Sequence, residues 1–367
     1  MGSFKAWAWV HKWSSLISTA FLLILCVTGL PLIFHDEIDE MLGHGLAPST
    51  GAPASLSAIE RAGLEAKSGW SVQYFVWEPD KPGVITLSMA PAGSTSFYDN
   101  QNVLVDAHTA QVVPQANSGG PMEFILALHS QLLIGPWGPL ILGFAAMLFL
   151  VALVSGLVIY APFARGRPFA DIRMTRARAT KWLDLHNVVG AAIVAWALVV
   201  GATGLVNTWG EYIIRFWQAT ELAAYATAGS AEPGGGTASV EQVVAAAKAR
   251  LPNAEPYFVA YPKTLMGGES FFAVYTQGDT ALTRFVYQPV LVDAQSGRVI
   301  AVPELPWYIK ALGLSQPLHF GDYGGLVLKI FWALLDVAAI FTLGSGLFLT
   351  LRRRRGDRPP PPEGATT

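Results

Sequence analysis

Two kinds of apolar run alternate along the chain, and each occurs twice. One kind is led by His11, and the triplet Thr28-Gly29-Leu30 starts 17 residues later; behind His186, Thr203-Gly204-Leu205 starts at the same distance. The other kind opens Leu128-His129 and again Leu318-His319. It has a glycine six residues after the histidine (Gly135, Gly325) and Ser-Gly-Leu beginning 26 residues after it (Ser155, Ser345). Each run is long enough to cross a bilayer, for which about 20 residues at ~1.5 Å each suffice. The predicted spans are 13–34, 137–162, 187–209 and 326–351. Their order reads as a tandem duplication of a two-helix unit. The fold class expected is a membrane α-helical protein with four transmembrane helices and two periplasmic α+β modules.

The pattern changes between the spans. In the first long segment a helix over 57–67, with Ser57 as its cap, precedes alternating strands at 72–77, 83–89 and 94–98. In the second, Ser239 caps a helix, and strands follow at 257–261, 270–275 and 283–287. Both segments then show the same hairpin, around Val105-Asp106-Ala107 and Val292-Asp293-Ala294. The chain therefore divides into helix 1 (1–35), module 1 (36–128), helix 2 (129–162), a basic loop (163–185), helix 3 (186–209), module 2 (210–318), helix 4 (319–351) and a tail (352–367). The small-residue stretch 227–236 reads as a flexible linker, and the proline run 359–362 as a disordered tail.

Composition sharpens this reading. The chain is 52% hydrophobic and 14% charged, against about 25% charge in soluble domains, and its mean hydropathy is +0.39. The net charge of -2 says nothing about nucleic acid, but no basic patch is interleaved with aromatics outside the membrane flanks, and no nucleic-acid partner is expected. Lys5 and Lys12, the loop bearing Arg165, Arg167, Arg173, Arg176, Arg178 and Lys181, and the tail with Arg352 to Arg355 share one side. The excess of positive charge assigns that side, and both termini, to the cytoplasm. The first apolar run is longer than a signal-peptide core and lacks a cleavage site, so it reads as a retained anchor. The single cysteine, Cys26, lies in an apolar helix and reads as packing.

The chemistry lies in the histidines. His11 and His186 occupy equivalent positions at the cytoplasmic ends of helices 1 and 3, and His129 and His319 at the outer ends of helices 2 and 4. An axis normal to the membrane would keep each pair at one depth. Two facing imidazoles suit the iron of a haem, which takes nitrogen ligands on its axis and fits its macrocycle between helices. A bare zinc or copper site wants three or four protein ligands. Against this, a single histidine at a helix end is commonly an interfacial polar residue. His35 has no equivalent, its counterpart being Gly210: it replaces a ligand of the outer haem, contacts a substrate there, or is a helix-end residue among acids. His44 and His108 read as surface residues. Asp336, with Lys329 seven residues before it, is an intramembrane carboxylate; it relays a proton, neutralises charge near a haem, or bonds a neighbouring helix.

These residues carry a resemblance. His11-Lys12-Trp13 leading to Thr28-Gly29-Leu30, then Phe34-His35-Asp36-Glu37, Leu128-His129 with Gly135, Leu185-His186-Asn187 and Pro317-Leu318-His319-Phe320-Gly321 resemble the PepSY-associated transmembrane proteins. The two hairpins look like those of PepSY domains, except that Ala110 stands where the second has Gly297. The resemblance implies a multi-pass protein of the bacterial inner membrane, similar to dihaem ferric-siderophore reductases. It implies two b-type haems on His11, His186, His129 and His319. Electrons would come from a cytoplasmic reductase or membrane quinol and pass to a ferric siderophore outside, releasing Fe(II). Two rivals remain: a non-enzymatic, membrane-anchored PepSY binding or regulatory protein, and a proton-coupled siderophore transporter using Asp336 and Lys329.

Overall fold

In the computed structural model the described residues are 2–39, 41, 49–77, 83–113, 121–165, 168–173, 175–225, 237–278, 283–321 and 323–356. His44, the linker 227–236 and the proline run 359–362 lie outside them. The described residues form α1 (Gly2–Ile33), α2 (His35–Asp39), α3 (Leu56–Ala66), α4 (Pro121–Gln131), α5 (Trp137–Ala164), α6 (Arg178–Thr208), α7 (Gly210–Thr220), α8 (Val240–Arg250), α9 (Trp307–Phe320) and α10 (Gly325–Gly356). The strands are β1 (Trp70–Trp77), β2 (Val84–Pro91), β3 (Gln101–Asp106), β4 (Glu255–Ala260), β5 (Phe271–Gln277), β6 (Gln288–Asp293) and β7 (Val299–Ala301). Two compact units result. One holds Met1–Phe34, Ile125–Thr208 and Leu318–Thr367; the other holds His35–Phe124 and Trp209–Pro317.

In the first unit α1, α5, α6 and α10 are long and apolar enough to cross a membrane. α1 and α6 each pack against both α5 and α10, which closes the four into a bundle. The helices outrun the apolar windows. α1 begins at Gly2 and α6 at Arg178, so His11 and His186 lie inside their helices rather than leading them. The extension of α6 includes Asp184, whose carboxylate accepts from the Nε (2.9 Å), Nη2 (2.6 Å) and backbone N–H (3.1 Å) of Arg173.

His129 and His319 differ from the expectation in the other sense. Each sits on a short helix, α4 or α9, that ends before the span begins. The break after α4 needs left-handed backbone at Leu132, Leu133 and Gly135 (φ 52°, 59° and 60°). At Gly138 a side chain would drive into the carbonyl of Gln131. The break after α9 uses Gly321 and Gly325 (φ 72° and 66°). The glycines six residues after each histidine are therefore turn residues, placed where L side chains are disfavoured.

In the second unit the strands of the two outer segments join edge to edge. All seven strands form one antiparallel sheet, in the order β3-β2-β1-β4-β5-β6-β7. The first segment supplies β1 to β3 and the second β4 to β7. They join where Tyr74, Phe75 and Val76 pair with Ala260, Val259 and Phe258. Each segment alone would leave a hydrophobic edge strand with open backbone groups, and pairing the two edges removes both. α3 and α8 cover one face, where Ile59, Val243 and Ala247 meet Phe75, Leu87, Val259 and Phe272. Burying each large side chain there contributes about 1.5–3 kcal/mol. On the other face the Tyr275 hydroxyl donates to Met266 O (2.8 Å). Gln218 of α7 donates to the carbonyls of Thr264 (2.9 Å) and Gly267 (3.0 Å) in the same loop.

Local details also depart from the sequence reading. The cap of α3 is Ser55, whose oxygen accepts from the Ala58 N–H, not Ser57. Ser57 instead gives its N–H and hydroxyl to the Glu241 carboxylate of α8. The segments expected as third strands carry short 3-10 turns, Phe97–Asp99 and Thr283–Phe285. His108 lies in the first hairpin turn with its Nδ1 buried. That turn matches the second: Ala110 (φ 54°) and Gly297 (φ 66°) take the same left-handed conformation.

Candidate functional site

All four repeated histidines belong to the helical unit, and each ring is held by a neighbouring helix. His11 Nδ1 lies 2.9 Å from Ala152 O and 3.4 Å from the Ser155 hydroxyl of α5. His186 Nδ1 lies 3.0 Å from both Thr342 O and the Ser345 hydroxyl of α10. His129 Nδ1 lies 2.9 Å from the Thr28 hydroxyl of α1. His319 Nδ1 lies 3.0 Å from Val200 O and 3.4 Å from the Thr203 hydroxyl of α6.

These contacts fix the tautomer. A carbonyl oxygen only accepts. Each hydroxyl already gives its proton to a carbonyl in its own helix: Thr28 to Ile24 (2.7 Å), Ser155 to Val151 (2.7 Å), Thr203 to Val199 (2.7 Å) and Ser345 to Thr342 (2.9 Å). Nδ1 must therefore carry the hydrogen, and in the neutral ring Nε2 keeps its lone pair for a ligand.

The residue after each hydroxyl is glycine, and the histidine edge occupies the space a side chain would take. A Cβ would stand 3.4 Å from His129 Cε1 at Gly29, 3.1 Å from His11 Cε1 at Gly156, 2.9 Å from His319 Cε1 at Gly204 and 3.2 Å from His186 Cε1 at Gly346. The Ser/Thr-Gly-Leu triplets are thus the cradles of the histidines. In the sequence they stand out only as repeat markers; their recurrence 17 residues after one histidine and 26 after the other, in both copies, was the available signal.

The four rings form two pairs. His11 and His186 lie in the first part of α1 and α6, and His129 and His319 on the short helices α4 and α9 that precede α5 and α10. Along α6 the cradle at Val200 stands 14 residues beyond His186, so the two levels are on the order of 20 Å apart. Among the described residues no group of three or more His, Cys, Asp and Glu side chains gathers to hold a metal ion. A pair of neutral imidazoles whose Nε2 atoms keep their lone pairs fits an iron whose other ligands would come from a macrocycle.

The remaining candidates separate. Asp336 is buried beside the His129 cradle: its Oδ2 is 4.0 Å from the Cβ position of Gly29. Its Oδ2 has no hydrogen-bond partner among the described residues. Lys329 is buried on the same helix. His35 belongs to the sheet unit, where its Nε2 pairs with Asp36 at 3.1 Å and its side chain is half exposed.

A family model for the PepSY-associated TM region matches residues 8–353. The chain belongs to that family. The match runs from before His11 to the end of the last span, so all four histidine cradles of this PepSY-associated TM protein fall inside it. With four apolar helices, the protein is a multi-pass membrane protein. No curated protein matches the chain.

Proposed function

We propose that this PepSY-associated TM protein is an inner-membrane dihaem b-type reductase. It takes electrons from a cytoplasmic reductase or the quinol pool and delivers them to a periplasmic ferric siderophore, releasing Fe(II). The observation that carries the reading is the set of four histidines at two levels, each with Nδ1 tied to a neighbouring helix so that Nε2 keeps its lone pair. His11 and His186 would hold the inner group, His129 and His319 the outer. When bound, a haem supplies reversible one-electron iron chemistry. The residues themselves do the positioning. Ser155, Ser345, Thr28 and Thr203 hold the tautomer, and Gly156, Gly346, Gly29 and Gly204 admit the rings. A haem iron held by two of these histidines would exchange electrons rather than bind oxygen, which suits electron transfer. Asp336, buried near Gly29, would take a proton or balance charge there. The order of the spans and the matching cradles support a duplicated two-helix unit, and the basic flanks support cytoplasmic termini with the sheet unit outside.

The test is the redox spectrum of His129→Ala and His319→Ala. Each should lose one haem; an unchanged haem content would sink the assignment. Buried Asp336 and Lys329 favour a second reading, a proton-coupled transporter. Uptake of labelled ferric siderophore into vesicles without an electron donor would support that reading.

A further inference from the structure

The outward side of α7 and the start of α9 carry an apolar patch that the sheet does not use. Ile214 and Trp217 of α7, and Ile309 and Leu312 of α9, are buried inward. The opposite side presents Tyr212 (41% exposed), Phe216 (60%) and Trp307 (79%). The patch is continuous, because the ring of Tyr308 lies 6.0 Å from that of Phe216 and 5.9 Å from that of Trp307. Ala311, exposed, and Leu314, half-buried, follow Trp307 at helical spacing. Arg215 sits beside Phe216 on the exposed side of α7, paired with Glu211 at 2.8 Å.

The chain says what covers this patch. Only Trp209 separates α7 from the span α6, and four residues separate α9 from the span α10. A residue reaches at most about 3.5 Å, so the first turn of α7 begins within about 7 Å of the end of a span. The interfacial layer on each side of the hydrocarbon is itself about 5–8 Å thick. Tyrosine and tryptophan favour that layer, and a helix showing aromatics beside an arginine lies in its plane.

We propose that this face docks on the lipid bilayer that the spans cross. Tyr212, Phe216 and Trp307 enter the boundary between headgroups and acyl chains. The proposal rests on the membrane spans and not on the haem assignment. Nitroxide labels at Phe216→Cys and Trp307→Cys, each with Cys26→Ala, test it in phosphatidylethanolamine–phosphatidylglycerol nanodiscs. A third label at Lys248→Cys, on exposed α8, is the aqueous reference. Power-saturation EPR should show high access to oxygen and low access to a nickel chelate at 216 and 307, with the reverse at 248. Nickel access equal to that at 248 overturns the proposal, and so does exclusion of both reagents, which would mean a protein partner. In the unlabelled chain, Trp307→Phe should lower tryptophan quenching by brominated lipids; unchanged quenching also contradicts it.

Discussion

A single methyl group at each cradle glycine separates two effects of opposite sign. In a helix interior, Gly→Ala stabilises by about 0.8–1 kcal/mol through propensity alone. Against this stands the ring. At Gly204 the new Cβ would lie 2.9 Å from His319 Cε1, about 0.6 Å inside ordinary carbon contact. His319 would have to retreat by that much. Its 3.0 Å bond to Val200 O would open to about 3.6 Å, beyond hydrogen-bond range. Losing that bond costs about 1 kcal/mol and the overpacking about 1–3 more. Gly204→Ala should therefore be net destabilising by about 1–3 kcal/mol. At Gly29 the contact is 3.4 Å, the ring yields easily, and the propensity gain of up to about 1 kcal/mol should prevail. Gly156 and Gly346, at 3.1 and 3.2 Å, fall between. Thermal unfolding of the four variants in one detergent gives the order, and the visible band per protein reports ligand retention. At Gly204 retention should fall about tenfold for each 1.4 kcal/mol. If Gly204→Ala is as stable as Gly29→Ala and keeps its colour, the cradle geometry is wrong.

Other outcomes follow from the sheet unit. Ala110→Gly removes a left-handed alanine (φ 54°) and should raise stability by about 1 kcal/mol in denaturant unfolding. Glu241→Ala removes the acceptor for the Ser57 N–H and hydroxyl; it should cost about 1.5–3 kcal/mol, with α3 opening first in hydrogen exchange. The Ser49 hydroxyl, donating at 2.6 Å, with the N–H groups of Thr109 and His108, holds the Asp106 carboxyl down at about 2. Its stabilisation is present above the unfolded value of about 3.9 and is lost as pH falls toward the folded one. The melting temperature should therefore drop below pH 4, and that part of the drop should vanish in Asp106→Asn.

Much of the helical unit was legible because its signals are local. The histidines, the triplets and the turn glycines recur at fixed distances, and apolar length alone places four spans. Their ends were not legible, since a helix continues past its apolar window wherever nothing stops it, as α6 does through Asp184 once Arg173 neutralises it. The role of the triplets was hidden because Thr28 meets His129 across 101 residues. The same distance problem concealed the pairing of Tyr74 with Ala260 that joins the modules. At α3 two serines stand within reach of the cap, and only the demand of Glu241 for Ser57 decides that Ser55 takes it.

The most direct measurement is the visible spectrum of the detergent-purified protein, oxidised and dithionite-reduced, with a pyridine haemochrome count. The account predicts two b-type haems per chain with sharp reduced bands, one held by His11 and His186 and one by His129 and His319. A colourless protein that takes up no haem would contradict it.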